Sequence, residues 1–142
     1  MGYYVLGPEV PGALGERTEL IHRPGSYPLV ERLHFEFGAG TLGNDLIETY
    51  PVFMVTRALA DALRASTLRG FSLSTDLEVS VDDNVRELEP DWPVPAIEWL
   101  HVSGVAGSDD FGLDETARPV VSEGALSILR RFKIDDCDIA PI

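Results

Sequence analysis

The sequence predicts a single α+β domain over residues 1–142, with a mostly antiparallel sheet and two short helices. A chain of 142 residues with 44% hydrophobic residues is long enough for one hydrophobic core. In residues 71–82 apolar and polar side chains alternate without a break, which is typical of a strand with one buried face. Two apolar runs, each followed by a hydroxyl residue and an amphipathic stretch, indicate an internal strand–helix–strand repeat.

The alternating segment is the longest regular pattern in the chain. A strand of this length with one face in solvent is typical of an antiparallel sheet. We expect it to be a central or near-central strand beneath a helix that starts near Arg57. The residues expected to be buried there are Phe71, Leu73, Leu77 and Val79.

The first fifty residues give weaker signals. Residues 3–6 predict a short strand, and the segment rich in proline and glycine that follows predicts an ordered loop with little regular structure. Leu33, Phe35 and Phe37 alternate with polar residues, which predicts a second amphipathic strand with His34 on its exposed face.

Residues 38–43 match the G-x-G-x-x-G pattern of dinucleotide-binding loops. In such loops the pyrophosphate lies at the N-terminus of a helix that follows. Here Pro51 leaves only residues 44–50 for that helix, and Asp45 and Glu48 would repel phosphate. We therefore predict a glycine-rich turn and no nucleotide or other cofactor.

The first unit of the repeat begins with the apolar run at residues 52–55, which predicts a buried strand. Thr56 is placed to cap the helix predicted over residues 57–65. In the second unit Ser122 follows a similar run and precedes a helix, and residues 134–139 predict a closing strand. The two helices would lie on one face of a shared sheet or at the ends of a single sheet.

The formal charge of −13, from 24 acidic and 11 basic residues, excludes the basic surface that binding to nucleic acid requires. Such a surface suits a basic protein partner, although net charge also serves solubility. The densest acidic stretch, residues 82–91, predicts a loop that ends next to Trp92, with the indole either at an interface or folded back on the core. The residues predicted to bind a partner are Asp82, Asp83, Glu87, Glu89, Asp91, Trp92, Asp109 and Asp110.

Motifs for catalysis and metal binding are missing from the sequence. Residues 110–112 spell D-F-G, but the only lysine, Lys133, follows them, which excludes a kinase. We predict no catalytic residues and no metal site, and a small hydrolase that uses Asp109 or Asp110 with His101 is the less favoured alternative. The acidic neighbours of Cys137, the only cysteine, should raise its pKa.

Membrane and export signals are also missing. No segment resembles a signal peptide, and none approaches the roughly 20 apolar residues of a membrane span. We therefore expect a cytoplasmic protein that does not contact a membrane.

Residues 50–142 also carry a wider pattern: Val-Phe-Met-Val-Thr at 52–56, Trp-Leu at 99–100, Asp-Asp-Phe at 109–111 and Val-Val-Ser-Glu at 120–123. This arrangement resembles a group of small bacterial immunity proteins found beside polymorphic toxin genes. The resemblance implies a protein that is not an enzyme and that binds and neutralises a cognate toxin, and no catalytic residues carry over. The alternative is a binding or regulatory module for another cationic protein.

Overall fold

The computed structural model describes residues 2–142, which form one α+β domain of thirteen strands and three helices. None of these helices is long and apolar enough to cross a membrane. In chain order the elements are β1 (Tyr3–Gly7), β2 (Gly12–Leu14), β3 (Glu19–Ile21), β4 (Leu29–Arg32), β5 (His34–Phe37), β6 (Leu46–Thr49), β7 (Val52–Thr56), α1 (Arg57–Arg64), β8 (Phe71–Ser74), β9 (Glu78–Val81), α2 (Asp83–Leu88), β10 (Ile97–Val102), β11 (Phe111–Leu113), β12 (Pro119–Ser122), α3 (Glu123–Leu129) and β13 (Asp138–Pro141).

Two four-stranded antiparallel sheets, with strand orders β6-β7-β10-β8 and β11-β12-β1-β13, form the frame of the domain. A three-stranded sheet, β2-β5-β9, is mixed because β5 and β9 run parallel. The β3-β4 hairpin forms a separate two-stranded sheet. The segment predicted to be an ordered loop therefore contains three short strands, β2, β3 and β4.

The predicted repeat is present, but it builds two sheets instead of one. In each four-stranded sheet a hairpin leads into a helix and then into an edge strand: β6-β7, α1 and β8 in one, and β11-β12, α3 and β13 in the other. The strands before and after each helix are separated by a third strand, β10 or β1, that is antiparallel to both. Helices α1 and α3 share one hydrophobic core.

The β6-β7-β10-β8 sheet is buried on both faces. Along β7, Phe53 and Val55 face the core of α1 and α3. Val52 and Met54 face a second core that includes Phe35 and other residues of the three-stranded sheet. Burial on both faces explains why β7 reads as a continuous apolar run and confirms the predicted buried strand.

The predicted long strand over residues 71–82 is wrong, because the structure divides the segment into β8 and β9. At the break the backbone N–H of Asp76 donates to Ser74 Oγ at 2.9 Å. Strand β8 is an edge strand paired with β10, and β9 is an edge strand of the three-stranded sheet.

The two halves of that segment pack against different cores. Phe71 and Leu73 are half-buried against the core of α1 and α3, whereas Leu77 and Val79 are half-buried against the second core. Each half keeps one face toward apolar side chains, so the alternation runs through the break.

Helix α2 lies in the acidic stretch that the sequence predicted to be a loop. Asp82 caps the helix, because its carboxylate accepts the backbone N–H of Asn84 at 2.8 Å. Val85 is the buried residue of this helix. Six residues with one buried side chain give too little periodicity to predict a helix, so the expected number of two helices is too low.

Candidate functional site

Helix α2 and the turn after it present the densest group of carboxylates, which we call the acidic surface (residues 82–91). Its exposed carboxylates are those of Asp83, Glu87, Glu89 and Asp91. Leu88 stands among them with 82% of its surface exposed. The acidic surface therefore combines negative charge with one prominent apolar side chain.

Trp92 attaches the turn after α2 to the second core. Its ring packs edge-on against Phe37, with 5.5 Å between the ring centroids, and the side chain is half-buried. Its backbone N–H donates to Glu89 O at 3.0 Å. The indole is thus folded back on the core, and Leu88 is the exposed apolar group. Sequence analysis missed Leu88, for which the only signal was an apolar residue between two glutamates.

Asp109 and Asp110 take part in hydrogen bonds that hold turns of the fold. Asp109 Oδ2 accepts the backbone N–H of Val105 at 2.7 Å. Asp110 Oδ1 accepts the Ser122 hydroxyl at 2.7 Å, and Oδ2 accepts the backbone N–H of Arg69 at 2.8 Å. Both aspartates precede β11, whereas the acidic surface follows β9 of another sheet. Their contact with a partner stays a prediction.

Asp110 has a counterpart in the first unit of the repeat. Asp45 Oδ1 accepts the Thr56 hydroxyl at 2.6 Å, and Oδ2 accepts the backbone N–H of Lys133 at 2.8 Å. Asp45 bonds Thr56, which precedes α1, and Lys133, which follows α3. Asp110 bonds Ser122, which precedes α3, and Arg69, which follows α1. Each carboxylate therefore links the start of one helix to the loop after the other. Thr56 therefore donates to Asp45 and does not cap α1 through its side chain, whereas Ser122 does cap α3.

The outer face of the three-stranded sheet carries a histidine, a serine and a glutamate in contact. His34 was predicted to be exposed, but only 3% of its surface is accessible. The loop that contains Gly15 covers the ring, and a Cβ on Gly15 would lie 2.1 Å from His34 Nδ1. His34 Nε2 lies 2.7 Å from Ser80 Oγ, which donates to Glu36 Oε1 at 3.1 Å.

The direction of these hydrogen bonds does not suit nucleophilic catalysis. The backbone N–H of Arg17 donates to His34 Nδ1 at 3.2 Å, so the ring proton is assigned to Nε2, which donates to Ser80. A catalytic histidine must instead accept the proton of the serine. The network satisfies buried polar atoms and positions the sheet against the covering loop.

Arg17 also contributes to the electrostatics of this face. Its guanidinium donates from Nε to Glu78 Oε2 at 2.6 Å, and this hydrogen bond lowers the pKa of Glu78. A second guanidinium, that of Arg32, lies 3.8 Å from the other carboxylate oxygen. Glu78 is therefore paired within the chain and is not part of the acidic surface.

His101 does not pair with the aspartates that the hydrolase alternative requires. Its ring stacks on Trp99, with 3.9 Å between centroids, and burial lowers the pKa of His101. Among residues 2–142 no hydrogen bond joins His101 to Asp109 or Asp110, and no group of three or more potential metal ligands gathers. The proposed acid–base pair is not assembled in this structure.

The glycine-rich loop leads into strand β6 and not into a helix, which confirms the predicted turn. Glu9, buried beside it, accepts the backbone N–H of Leu42 at 2.7 Å and the side-chain amide of Asn44 at 3.0 Å. A carboxylate of the chain itself therefore occupies donors of the kind that hold phosphate in dinucleotide-binding loops. The expectation that nucleotides do not bind stays a prediction.

No known protein family, curated protein or solved structure matches this chain significantly. The resemblance to immunity proteins rests on the sequence pattern given above.

Cys137 is expected to react slowly with thiol reagents. Burial raises the pKa of its thiol from 9.0 to about 11, and Asp138 and Glu48 act in the same direction. Because only the thiolate reacts, this change lowers the reactive fraction at pH 8 by roughly 100-fold. Mass spectrometry of iodoacetamide labelling should show the native protein reacting about 100-fold more slowly than the protein unfolded in guanidinium chloride.

A substitution distinguishes the two causes of the slow reaction, which are burial of the thiol and the negative charge of its neighbours. Asp138→Asn removes one neighbouring charge but leaves burial, the larger cause, in place, so it should change the labelling rate only slightly. Labelling of the native protein should accelerate as the pH approaches about 11. Equal rates in the native and unfolded protein at pH 8 would show that the thiol is not protected.

Proposed function

We propose that this protein binds a basic protein toxin and neutralises it, with the acidic surface as the main contact. The observation that supports this proposal is the combination of exposed carboxylates and the 82% exposed Leu88 on one short helix and turn. Residues 82–91 contain five carboxylates and a single cation, Arg86.

The charge of the protein provides a physical reason for such binding. A toxin that acts on nucleic acids or nucleotides lines its substrate site with arginine and lysine, and an acidic surface can cover that site. A net charge of −13 attracts a basic partner over long distances and accelerates association, more strongly at low salt. The proposed complex is stoichiometric and requires no reaction.

Leu88 is the proposed anchor of the interface. An apolar side chain surrounded by a polar rim is the usual arrangement at the centre of a protein–protein contact. Exposure of 82% leaves almost the whole side chain available to a partner. Trp92 acts indirectly, because its packing on Phe37 holds the turn that follows Leu88.

The test is co-expression with the toxin encoded by the adjacent gene, combined with kinetics of the purified complex. The test variant carries Asp83→Lys, Glu87→Lys and Glu89→Lys, and it keeps Asp82 because that residue caps α2. We expect loss of protection and slower association, with the largest difference at low ionic strength. Leu88→Ala should instead accelerate dissociation by about tenfold or more.

A matched control distinguishes the effect of the acidic surface on binding from the effect of the net charge. Reversal of Glu31, Glu115 and Asp135, which are exposed on other parts of the chain, changes the formal charge equally, from −13 to −7, by three changes of two units. This control should retain most of the protection. If the test variant folds and protects as well as the wild type, the contact lies elsewhere. If the wild type neither protects nor captures the toxin, the immunity function is wrong.

A further inference from the structure

A groove of about 190 Å³ is lined by the paired strands β7 and β10, by the start of β4 and by the segment that precedes β4. The stacked rings of Trp99 and His101 line it, together with Tyr27, Leu29 and Pro51. None of the residues around the groove is Asp, Glu, Arg or Lys. In a chain with a formal charge of −13, this is a surface without formal charge.

The hairpin beside the groove exposes further apolar side chains. Strands β3 and β4 pair only with each other. Leu20, Ile21 and Leu29 are 50%, 40% and 45% exposed, and Ile21 pairs directly with Leu29, which also lines the groove. A two-stranded hairpin is marginally stable in water unless something packs against it. Because successive side chains of a strand point to opposite faces, Ile21 and Leu29 share the face that borders the groove, and Leu20 lies on the other face.

The charge of this region identifies the occupant that it suits. Residues 19–32, which span the hairpin, contain two acidic and two basic residues (Glu19, Glu31, Arg23 and Arg32), so the hairpin carries a formal charge of 0 in a chain of −13. Two copies of the chain repel each other over most of their surfaces, and this repulsion is weakest where the hairpin and groove meet. A basic partner would instead be drawn to the acidic surface, which lies outside this region.

We propose that the hairpin and the groove form the surface through which two copies of this protein associate in a two-fold symmetric dimer. A two-fold contact uses the same patch on both copies, so Ile21 and Leu29 of each copy would lie against the half-buried His101 and the groove of the other copy, beneath which Trp99 is buried. The dimer goes beyond the proposed toxin binding and uses no residue of the acidic surface.

Sedimentation equilibrium tests the dimer directly. Between roughly 5 and roughly 500 µM protein, the mass should rise from 15.5 kDa toward twice that value. Because salt screens the repulsion between two acidic chains, association should strengthen between ionic strengths of about 0.05 and about 0.5 M. Toxin binding should weaken over the same range, so the two interactions are distinguishable.

Two exposed positions provide the test variants. Ile21→Asp and Leu29→Asp should each weaken the dimer by at least about tenfold, because each places a charge in the apolar contact. Ile142→Asp adds the same charge at a residue that is 77% exposed after β13, at the opposite sheet edge from β11, and it should leave association unchanged. Thermal unfolding followed by circular dichroism checks that all three variants remain folded.

Three results would overturn the proposal. The first is a mass of one chain at every concentration and salt. The second is a dimer that persists in both hairpin variants or that Ile142→Asp weakens equally. The third is a mass that grows beyond two chains, because a two-fold contact closes on itself.

Discussion

Replacement of Leu63 or Leu129 by alanine is expected to lower the free energy of unfolding by about 2–5 kcal/mol in each case. The two leucines occupy equivalent places in the repeat, one on α1 and one on α3, and both are fully buried in the core that the two helices share. Each change removes apolar contacts and leaves a cavity between elements of both four-stranded sheets. Urea unfolding followed by circular dichroism measures the loss.

Two other leucines provide controls for this prediction. Leu77 is half-buried beside the second core, so Leu77→Ala should cost about 1 kcal/mol. Leu88→Ala should change stability by less than about 0.5 kcal/mol, because the side chain is exposed. A cost for Leu77→Ala equal to that at Leu63 would favour the continuous central strand. A cost below about half a kcal/mol at Leu63 would show that this face of α1 is exposed.

The elements that sequence analysis predicted correctly are those fixed by local patterns. Strand β7 appears as a continuous apolar run, and α1 appears as an amphipathic stripe that includes Leu59 and Leu63. The second unit repeats both signals at β12 and α3. These signals need no knowledge of distant residues, because periodicity reports burial along one element.

The arrangement of the sheets did not follow from those patterns. Alternation shows that one face of residues 71–81 is buried but not which core buries it, so β8 and β9 appeared to be one strand. The break at Asp76 and the pairing of β9 with β5 depend on the chain around Leu33, which is far away in sequence. Long-range pairing of this kind leaves no local signal.

The polar residues of the candidate site show the same limit. The burial of His34 depends on Gly15, and the roles of Asp45 and Asp110 depend on backbone groups in the loops after α3 and α1. Sequence analysis identified Asp110 by its charge and predicted a contact surface, whereas the structure shows both of its carboxylate oxygens bonded within the chain. Exposed charge and bonded charge look identical in a sequence.

Replacement of both Arg57 and Arg64 by alanine should destabilise the protein by about 3–5 kcal/mol, because it leaves a buried carboxylate without a partner. Glu98, on the central strand β10, is 2% exposed. Arg64 approaches Glu98 Oε1 at 2.5 Å, and Arg57 Nε lies 3.4 Å from Oε2. Urea unfolding at neutral pH measures the effect, and the single Arg64→Ala change should cost more than Arg57→Ala because its contact is shorter.

Loss of the two arginines should destabilise the protein more than loss of the Glu98 carboxylate does, because the three side chains differ in exposure. The side chains of Arg57 and Arg64 are 60% and 51% exposed, against 3% for Glu98, so both guanidinium groups can return to water when the carboxylate is removed. Glu98→Gln alone should therefore cost less than the double arginine change, and adding Glu98→Gln to that variant should recover part of its stability. Alanine suits a helix as well as arginine does, so the substitutions themselves do not weaken α1. If the double arginine variant is as stable as the wild type, the arginines do not compensate the buried charge. If adding Glu98→Gln to the double arginine variant recovers no stability, the loss comes from packing of the arginine side chains.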